Sequence, residues 1–415
     1  MTQWSPVWRV KIAGIDVTDS VLASLNITSG RTNIYEQAQA GYCSLTLIVF
    51  NQVAIDYEIN DTLSVEVQDT AAVYKPIFGG SIVDIAVSVS EVGSTAYTQE
   101  VTITALGALA RLQKALTDGV LTQDFEGDQI ETILRQVLFA QWQQVPAALT
   151  WATYDPTETW ATAGNTGLGE IDTPGNYELA QRASSRTVIY DLVAALATSG
   201  LGYIYENAAG QISYADSTHR TTYLAANGYT DLTANQALGR GITIKTRAGD
   251  VRNDVTIKYG ISSGSEVSDR DETSIGLYGE LAQIISTTIK HQADAESQAA
   301  FYLALRAYPQ PNFDQITYAL TNPELDNGDR DSLINVFMGQ PIALNDLPLN
   351  MSAGTFQGYV EGFTFRASYN ELSVTLLMSP LAYSLQAMRW NDVPITETWA
   401  SVSPILEWQY ATIVS

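Results

Sequence analysis

A pattern that occurs twice, near the start and near the end, constrains this chain more than any other feature. The first copy opens Phe78-x-Gly80-x-Ile82. Val83, Val87 and Val89 follow on one face, with Ile85 between them. After a polar turn around Gly93, the return arm runs Val101-Thr102-Ile103-Thr104-Ala105. Apolar and small polar residues alternate with period two, which predicts a half-buried antiparallel hairpin. The second copy opens Phe356-x-Gly358-x-Val360 and continues through Phe363 and Phe365. It turns at Tyr369-Asn370-Glu371 and returns through Leu372, Val374, Leu376 and Met378. Upstream, Asn60-Asp61-Thr62-Leu63-Ser64-Val65 corresponds to Gly339-Gln340-Pro341-Ile342-Ala343-Leu344.

A second repeat follows each hairpin. Trp142, Trp151 and Trp160 are spaced nine apart, and so are Trp390, Trp399 and Trp408. Val145-Pro146, Thr150, Ala152 and Pro156 match Val393-Pro394, Thr398, Ala400 and Pro404. Chance does not readily place so many rare residues in register, so the sequence predicts duplication of a β unit plus an arm. Two roles for the arms stay open. They clamp their own β unit, or they reach a neighbouring subunit or a stacked protein; tryptophan suits either role because it buries much area.

The chain between the copies changes texture. Apolar spacing predicts a helix from Asp128 to Trp142, with Asp128 as N-cap, and another over Thr187 to Thr198 that stops at Gly200. Tyr203 to Tyr214 reads as a β-hairpin, and Asp254 to Tyr259 as a strand. Ser262 to Glu272 reads as an exposed polar loop, and Ala293 to Ala307 as a helix ended by Pro309 and Pro311. The expected fold class is a β-rich α+β protein: two antiparallel β-barrels, an inserted α/β domain and tryptophan-containing arms. The expected division is 1–107 (first barrel), 108–240 (insert with the arm at 142–160), 241–385 (second barrel with helix 293–307) and 386–415 (second arm).

At 415 residues the chain is long enough for several domains. No apolar run is long enough for a membrane helix, and the N-terminus lacks the basic and apolar segments of a secretory signal. Cys43 is the only cysteine, so no intramolecular disulfide forms, and its place in a strand-like run predicts a buried thiol. The net charge of −24 argues against gripping nucleic acid through its phosphates. It is compatible with solubility, or with an acidic lumen through which DNA slides.

Catalytic signatures are sparse. The two histidines, His219 and His291, stand among polar residues and read as surface positions. No zinc spacing, phosphate loop or nucleophile elbow occurs. The acidic run from Glu324 to Asp331 contains Arg330, lacks EF-hand spacing and reads as a solvated loop. No catalytic residue, cofactor or metal is expected.

Several stretches together resemble the baseplate or tail-tip hub proteins of tailed bacteriophages, often called minor tail proteins. They are Trp8-Arg9-Val10-Lys11-Ile12 with Gly14, Arg31-Thr32-Asn33-Ile34-Tyr35-Glu36, Phe78-Gly79-Gly80-Ser81-Ile82, Asn253-Asp254-Val255-Thr256, Ser274 to Glu280, and Gly358-Tyr359-Val360-Glu361-Gly362. The resemblance covers about residues 7 to 380. It implies two barrels like those of tail-tube proteins and a homotrimer whose six barrel positions adapt a six-fold tube to a three-fold tip. It further implies contacts with a tail tube or distal tail protein, with a fibre, spike or other tip protein, and with a tape measure protein. DNA would pass through in transit, and the site would be the virion tail, with synthesis in the host cytoplasm. A tail-surface receptor- or fibre-binding adaptor and a glycan-degrading tail enzyme are the alternatives.

Overall fold

A computed structural model describes residues 4–17, 20–34, 36–50, 55–89, 98–136, 168–237, 244–246, 248–309, 311–313, 315–347, 354–368 and 371–380. The N-terminal part is all β. Its strands are β1 (Trp8–Ile12), β2 (Ile15–Asp16), β3 (Ser20–Gly30), β4 (Gln39–Val49), β5 (Thr62–Gln68), β6 (Tyr74–Val89) and β7 (Gln99–Leu106). Ala13 and Gly14, both at positive φ, form the turn between β1 and β2. The strands lie in the order β2-β1-β5-β6-β7-β4-β3, with antiparallel neighbours. Alternation works as predicted: Leu63, Val65, Val67, Val101 and Ile103 are buried, and the residues between them are less so.

The middle of the chain adds helices. It contains α1 (Leu109–Leu112), β8 (Leu116–Thr117), β9 (Asp124–Phe125), α2 (Glu126–Gln136), β10 (Leu168–Ile171), β11 (Glu178–Leu179), β12 (Thr187–Val188) and α3 (Ile189–Ser199). β13 (Tyr203–Glu206) and β14 (Ile212–Ala215) form the predicted hairpin. Its loop is pinned by Asn207, whose Oδ1 accepts from the N–H groups of Ala209 and Gln211. Then come α4 (His219–Asn227) and β15 (Thr230–Thr233). Helix α2 begins two residues before Asp128, which therefore lies inside the first turn and is not the cap. Thr187 is in strand β12 and not in the helix, which starts at Ile189.

The remaining elements are β16 (Ile244–Thr246), β17 (Asp254–Tyr259), β18 (Ser265–Arg270), α5 (Glu272–Tyr278), β19 (Ala282–Ser286), α6 (Gln292–Arg306), β20 (Pro311–Phe313), β21 (Ile316–Ala319), α7 (Asn327–Ile334), β22 (Pro341–Asn345), β23 (Phe356–Ser368) and β24 (Glu371–Pro380). Two expected loops are regular structure. β18 is an edge strand paired with β17, and Val267, packed on the second core, is its one apolar residue, so it has no apolar period to read. The acidic run ends in α7, where the carboxylate of Asp326 accepts from the N–H of Asp329 as an N-cap. Arg330 is buried there and donates to the carbonyls of Leu320, Asn322 and Leu325.

No closed barrel forms among the described residues, which corrects the expectation of two barrels. Instead β3 pairs with β23, and the two strand sets join in one open 12-stranded sheet. For the first set to close, β3 would have to meet β2, and these lie at opposite ends of its order. One core runs through both sets, with Leu25 and Ile27 of β3 beside Phe363 and Phe365 of β23. A second core gathers α2, α3, β13 and β14, and also takes Val255, Ile257, Ile285, Ala295 and Ala299. Residues 254–299 thus pack with the α/β part of the chain. Cys43 is fully buried in the first core.

Candidate functional site

The six residues of the repeated signature occupy matching places in the two strand sets. Phe78 stands opposite Val65 and Gly80 opposite Leu63. Phe356 stands opposite Leu344 and Gly358 opposite Ile342. Ile82 exchanges backbone hydrogen bonds with Asn60 and Asp61, and Val360 exchanges them with Gly339 and Gln340. Asn60 and Gly339 both have positive φ. A Cβ on Gly80 would lie 2.5 Å from the Leu106 carbonyl oxygen, and one on Gly358 would lie 2.2 Å from that of Ser379. Leu106 and Ser379 are themselves counterparts, opposite Ser81 and Tyr359. Each glycine is therefore fixed by close backbone approach and by the ring of the phenylalanine two residues earlier.

The match extends to a bulge. Register shifts between Ile82 and Asp84 against β7, and between Val360 and Gly362 against β24. The bulged residues are Val83 and Glu361. Strict period two would have placed Val83 with Ile85 and Val87, but the bulge takes it out of that register; it is 40% exposed. Its counterpart Glu361 is 2% exposed.

Glu361 is the centre of a buried charged junction. Its carboxylate accepts from Arg31 Nε at 2.6 Å, from Arg220 Nη1 and Nη2 at 2.8 and 3.0 Å, and from Ser379 Oγ at 2.5 Å. Arg31 follows β3 and Arg220 lies in the first turn of α4, so one carboxylate ties the first strand set, the insert and the second strand set together. Burial pushes the Glu361 carboxyl up, but Arg220 and Arg31 outweigh it and hold the group down at about 2. The Tyr203 ring receives both guanidinium groups, with Arg220 Cζ 4.5 Å and Arg31 Cζ 5.3 Å from its centroid. The stretches that begin at Arg31 and Gly358, distant in sequence, meet here.

Two further polar clips hold the seams. Glu206 at the end of β13 accepts from the N–H groups of Gly41 and Leu109, at 2.8 and 2.5 Å, and so fastens β13 to the start of β4 and to the first residue of α1. Burial raises its pKa to about 7. Buried Asn253 donates to the Gly279 carbonyl and accepts from the Leu281 N–H, and Ser274 donates to the Ala307 carbonyl. The stretches that begin at Asn253 and Ser274 thus also converge.

His291 is exposed at the surface, as expected, whereas His219 is half-buried, and both are hydrogen-bonded. His219 Nδ1 lies 2.7 Å from Asp172 Oδ2, and His291 Nε2 lies 2.5 Å from Glu178 Oε2. Glu170 joins Asp172 and His219 to make a donor group of a kind that suits a divalent ion. The ring nitrogen facing that group is already taken by Asp172. A cleft of about 130 Å³ opens beside the charged junction, between Arg31, Gln37, Asp216, Tyr302 and Arg306. It is smaller than the roughly 300–1,000 Å³ usual for small-molecule sites. The charged junction and the two clips are joints between structural parts.

Trp142, Trp151, Trp160, Trp390, Trp399 and Trp408 lie outside the described residues. No helix among the described residues is long and apolar enough to cross a membrane.

Comparison with solved structures gives this architecture its relatives. The tail protein from Neisseria meningitidis MC58 aligns over 91% of this chain and 97% of its own length, with a TM-score of 0.56 and 11% identity. The chain has the fold of a phage tail protein. The 43 kDa tail protein of prophage MuSo2 from Shewanella oneidensis aligns over 93% of this chain and 99% of its own, with a TM-score of 0.55 and 12% identity. No family model and no curated protein matches the sequence. The shared property is therefore a tail-type fold, rich in β structure and spread over several sheets.

Proposed function

We propose that this protein is a structural hub of a phage tail tip or baseplate. In this reading it is a homotrimer that adapts a six-fold tail tube to three-fold tip components and lines the DNA channel. The observation that carries it is the register match of the two strand sets, down to the glycine, the positive φ and the bulge. Two like units per chain give six like positions in a trimer, whereas a lone adaptor or an enzyme needs no such doubling. The two tail proteins of like fold support the setting.

The partners on this reading are a tail tube or distal tail protein on one side and a fibre, spike or other tip protein on the other. A tape measure protein and DNA would occupy the channel, which the net charge of −24 keeps from retaining phosphates. Its role is structural, not catalytic, and its place is the virion tail. The divisions at 107, 240 and 385 are proposed as domain limits, with residues 254–299 going with the insert because they share its core. The six tryptophans are proposed as docking arms, and Phe78, Gly80, Ile82, Phe356, Gly358 and Val360 as register locks.

Native mass spectrometry with negative-stain averaging tests the proposal. A trimer with a central hole and pseudo-six-fold density is expected. A particle that stays monomeric at all concentrations, with and without the tube protein, overturns it.

A further inference from the structure

Equivalent strands in the two sets have different neighbours, and the difference falls on one edge. β23 pairs with β24 along one edge, and along the other with β22 over residues 356–359 and then β3 over residues 362–367. β6 pairs with β7 along one edge and with β5 over residues 74–81 of the other. Beyond Ile82 that second edge of β6 has no strand partner among the described residues. It is a long edge with one charge, Asp84, and no proline, which natural sheets rarely leave uncovered.

Side chains tell the same story. Phe365 and Ala367 of β23 are 1% and 9% exposed, while their counterparts Val87 and Val89 are 51% and 45% exposed. Val101, opposite Val87, is fully buried. The face is apolar and finished in one set, and apolar and unfinished in the other.

The strand that finishes β23 is β3, and β3 has a counterpart. β3 runs antiparallel along β4, which pairs with β7. β16 runs antiparallel along β20, whose continuation β21 pairs with β24. The outer edge of β16 is also unpaired among the described residues.

We propose that β16 of a second copy of this chain adds antiparallel to the free edge of β6, as β3 adds to β23 within one chain. Equivalence fixes the register. Asp84, Ile85 and Ala86 face Thr246, Lys245 and Ile244 of the next copy, as Gly362, Phe363 and Thr364 face Gly30, Ser29 and Thr28. The main-chain ladder supplies affinity and the half-exposed valines supply apolar contact. Each copy offers one β6 edge and one β16 edge, so the contact is head to tail, and three such contacts close the ring of the trimeric reading. The inference rests on the trimeric-ring reading and names its joint.

Ala86→Cys with Ile244→Cys in the full chain tests it. Thr28→Cys with Thr364→Cys is the control, because those Oγ1 atoms lie 3.4 Å apart within one chain. Native Cys43 is buried and stays in place. Under oxidation the test pair is expected to lose its monomer band on non-reducing gels and to form linked species up to the trimer. The single variants and the control pair are expected to keep the monomer mass. A particle that is trimeric by mass, with the control closed and the test pair unlinked, overturns the strand pairing and leaves the ring. A wholly monomeric, unlinked protein overturns both. If the double variant does not fold, amide exchange of the unaltered protein decides. Added protection over residues 84–89 in the particle, at the alternate N–H groups that β7 does not engage, is expected, and equal exchange in particle and dissociated chain overturns the pairing.

Discussion

Replacing Glu361 by glutamine removes the charge at the junction while keeping its shape. The carboxyl is held at about 2, against an ordinary value of 4.5. That gap corresponds to about 3 kcal/mol of stability at neutral pH. The folded pKa lies below the unfolded one, so this contribution is present above about pH 4.5 and fades as pH falls through 2. Glutamine also leaves two buried guanidinium groups without an anion, a loss that costs about 3–5 kcal/mol in comparable buried pairs. For a chain of this size the melting temperature should drop by roughly 3–6 °C. Differential scanning calorimetry at pH 7 and at acid pH is the assay. The gap between the two proteins should narrow as the pH approaches 2. A second variant separates charge from packing: Arg31→Met, Arg220→Met and Glu361→Leu together should be less destabilising than Glu361→Gln alone, because nothing charged is stranded. A Glu361→Gln protein within about 1 kcal/mol of the parent at pH 7 would refute the account, since no buried charge would then depend on it.

Other outcomes follow from the same structure. Gly80→Ala and Gly358→Ala should each cost about 1–3 kcal/mol in urea unfolding, because the added Cβ meets a backbone carbonyl that cannot step aside. Glu126 and Glu206, both raised to about 7 by burial, act opposite to Glu361. Their contribution is present below about pH 4.5 and is lost as pH rises through 7, and Glu206→Gln should flatten that slope in a pH series of melting temperatures. Asn253→Ala should cost roughly 2–3 kcal/mol and speed amide exchange around Leu281, whose N–H loses its acceptor.

Much of the β architecture was legible because alternation is a local signal. Phe78, Gly80 and Ile82 announced their strand, and the copy at Phe356 announced its repetition. Helix α6 and the β13–β14 hairpin were legible for the same reason. β18 was not, because an edge strand with polar side chains has no period. The acidic run hid α7 because a helix held by a buried arginine and a single aspartate cap does not display an apolar stripe. The charged junction was invisible for a different reason. Arg31 and Glu361 are 330 positions apart, and a bulge decides which way Glu361 points. Closure into barrels failed as an expectation because which edge a strand offers, and to what, is settled by pairing and not by alternation.

The bulge itself occurs twice, but only one copy carries an acid. A molecule made of two like halves faces an addressing problem, since each docking strand could settle on either half. Valine at 83 and glutamate at 361 give the two addresses different labels. Arg31, which follows β3, can satisfy its guanidinium at only one of them. One substituted side chain thus tells two like positions apart, with an inside joint that forms as the chain folds.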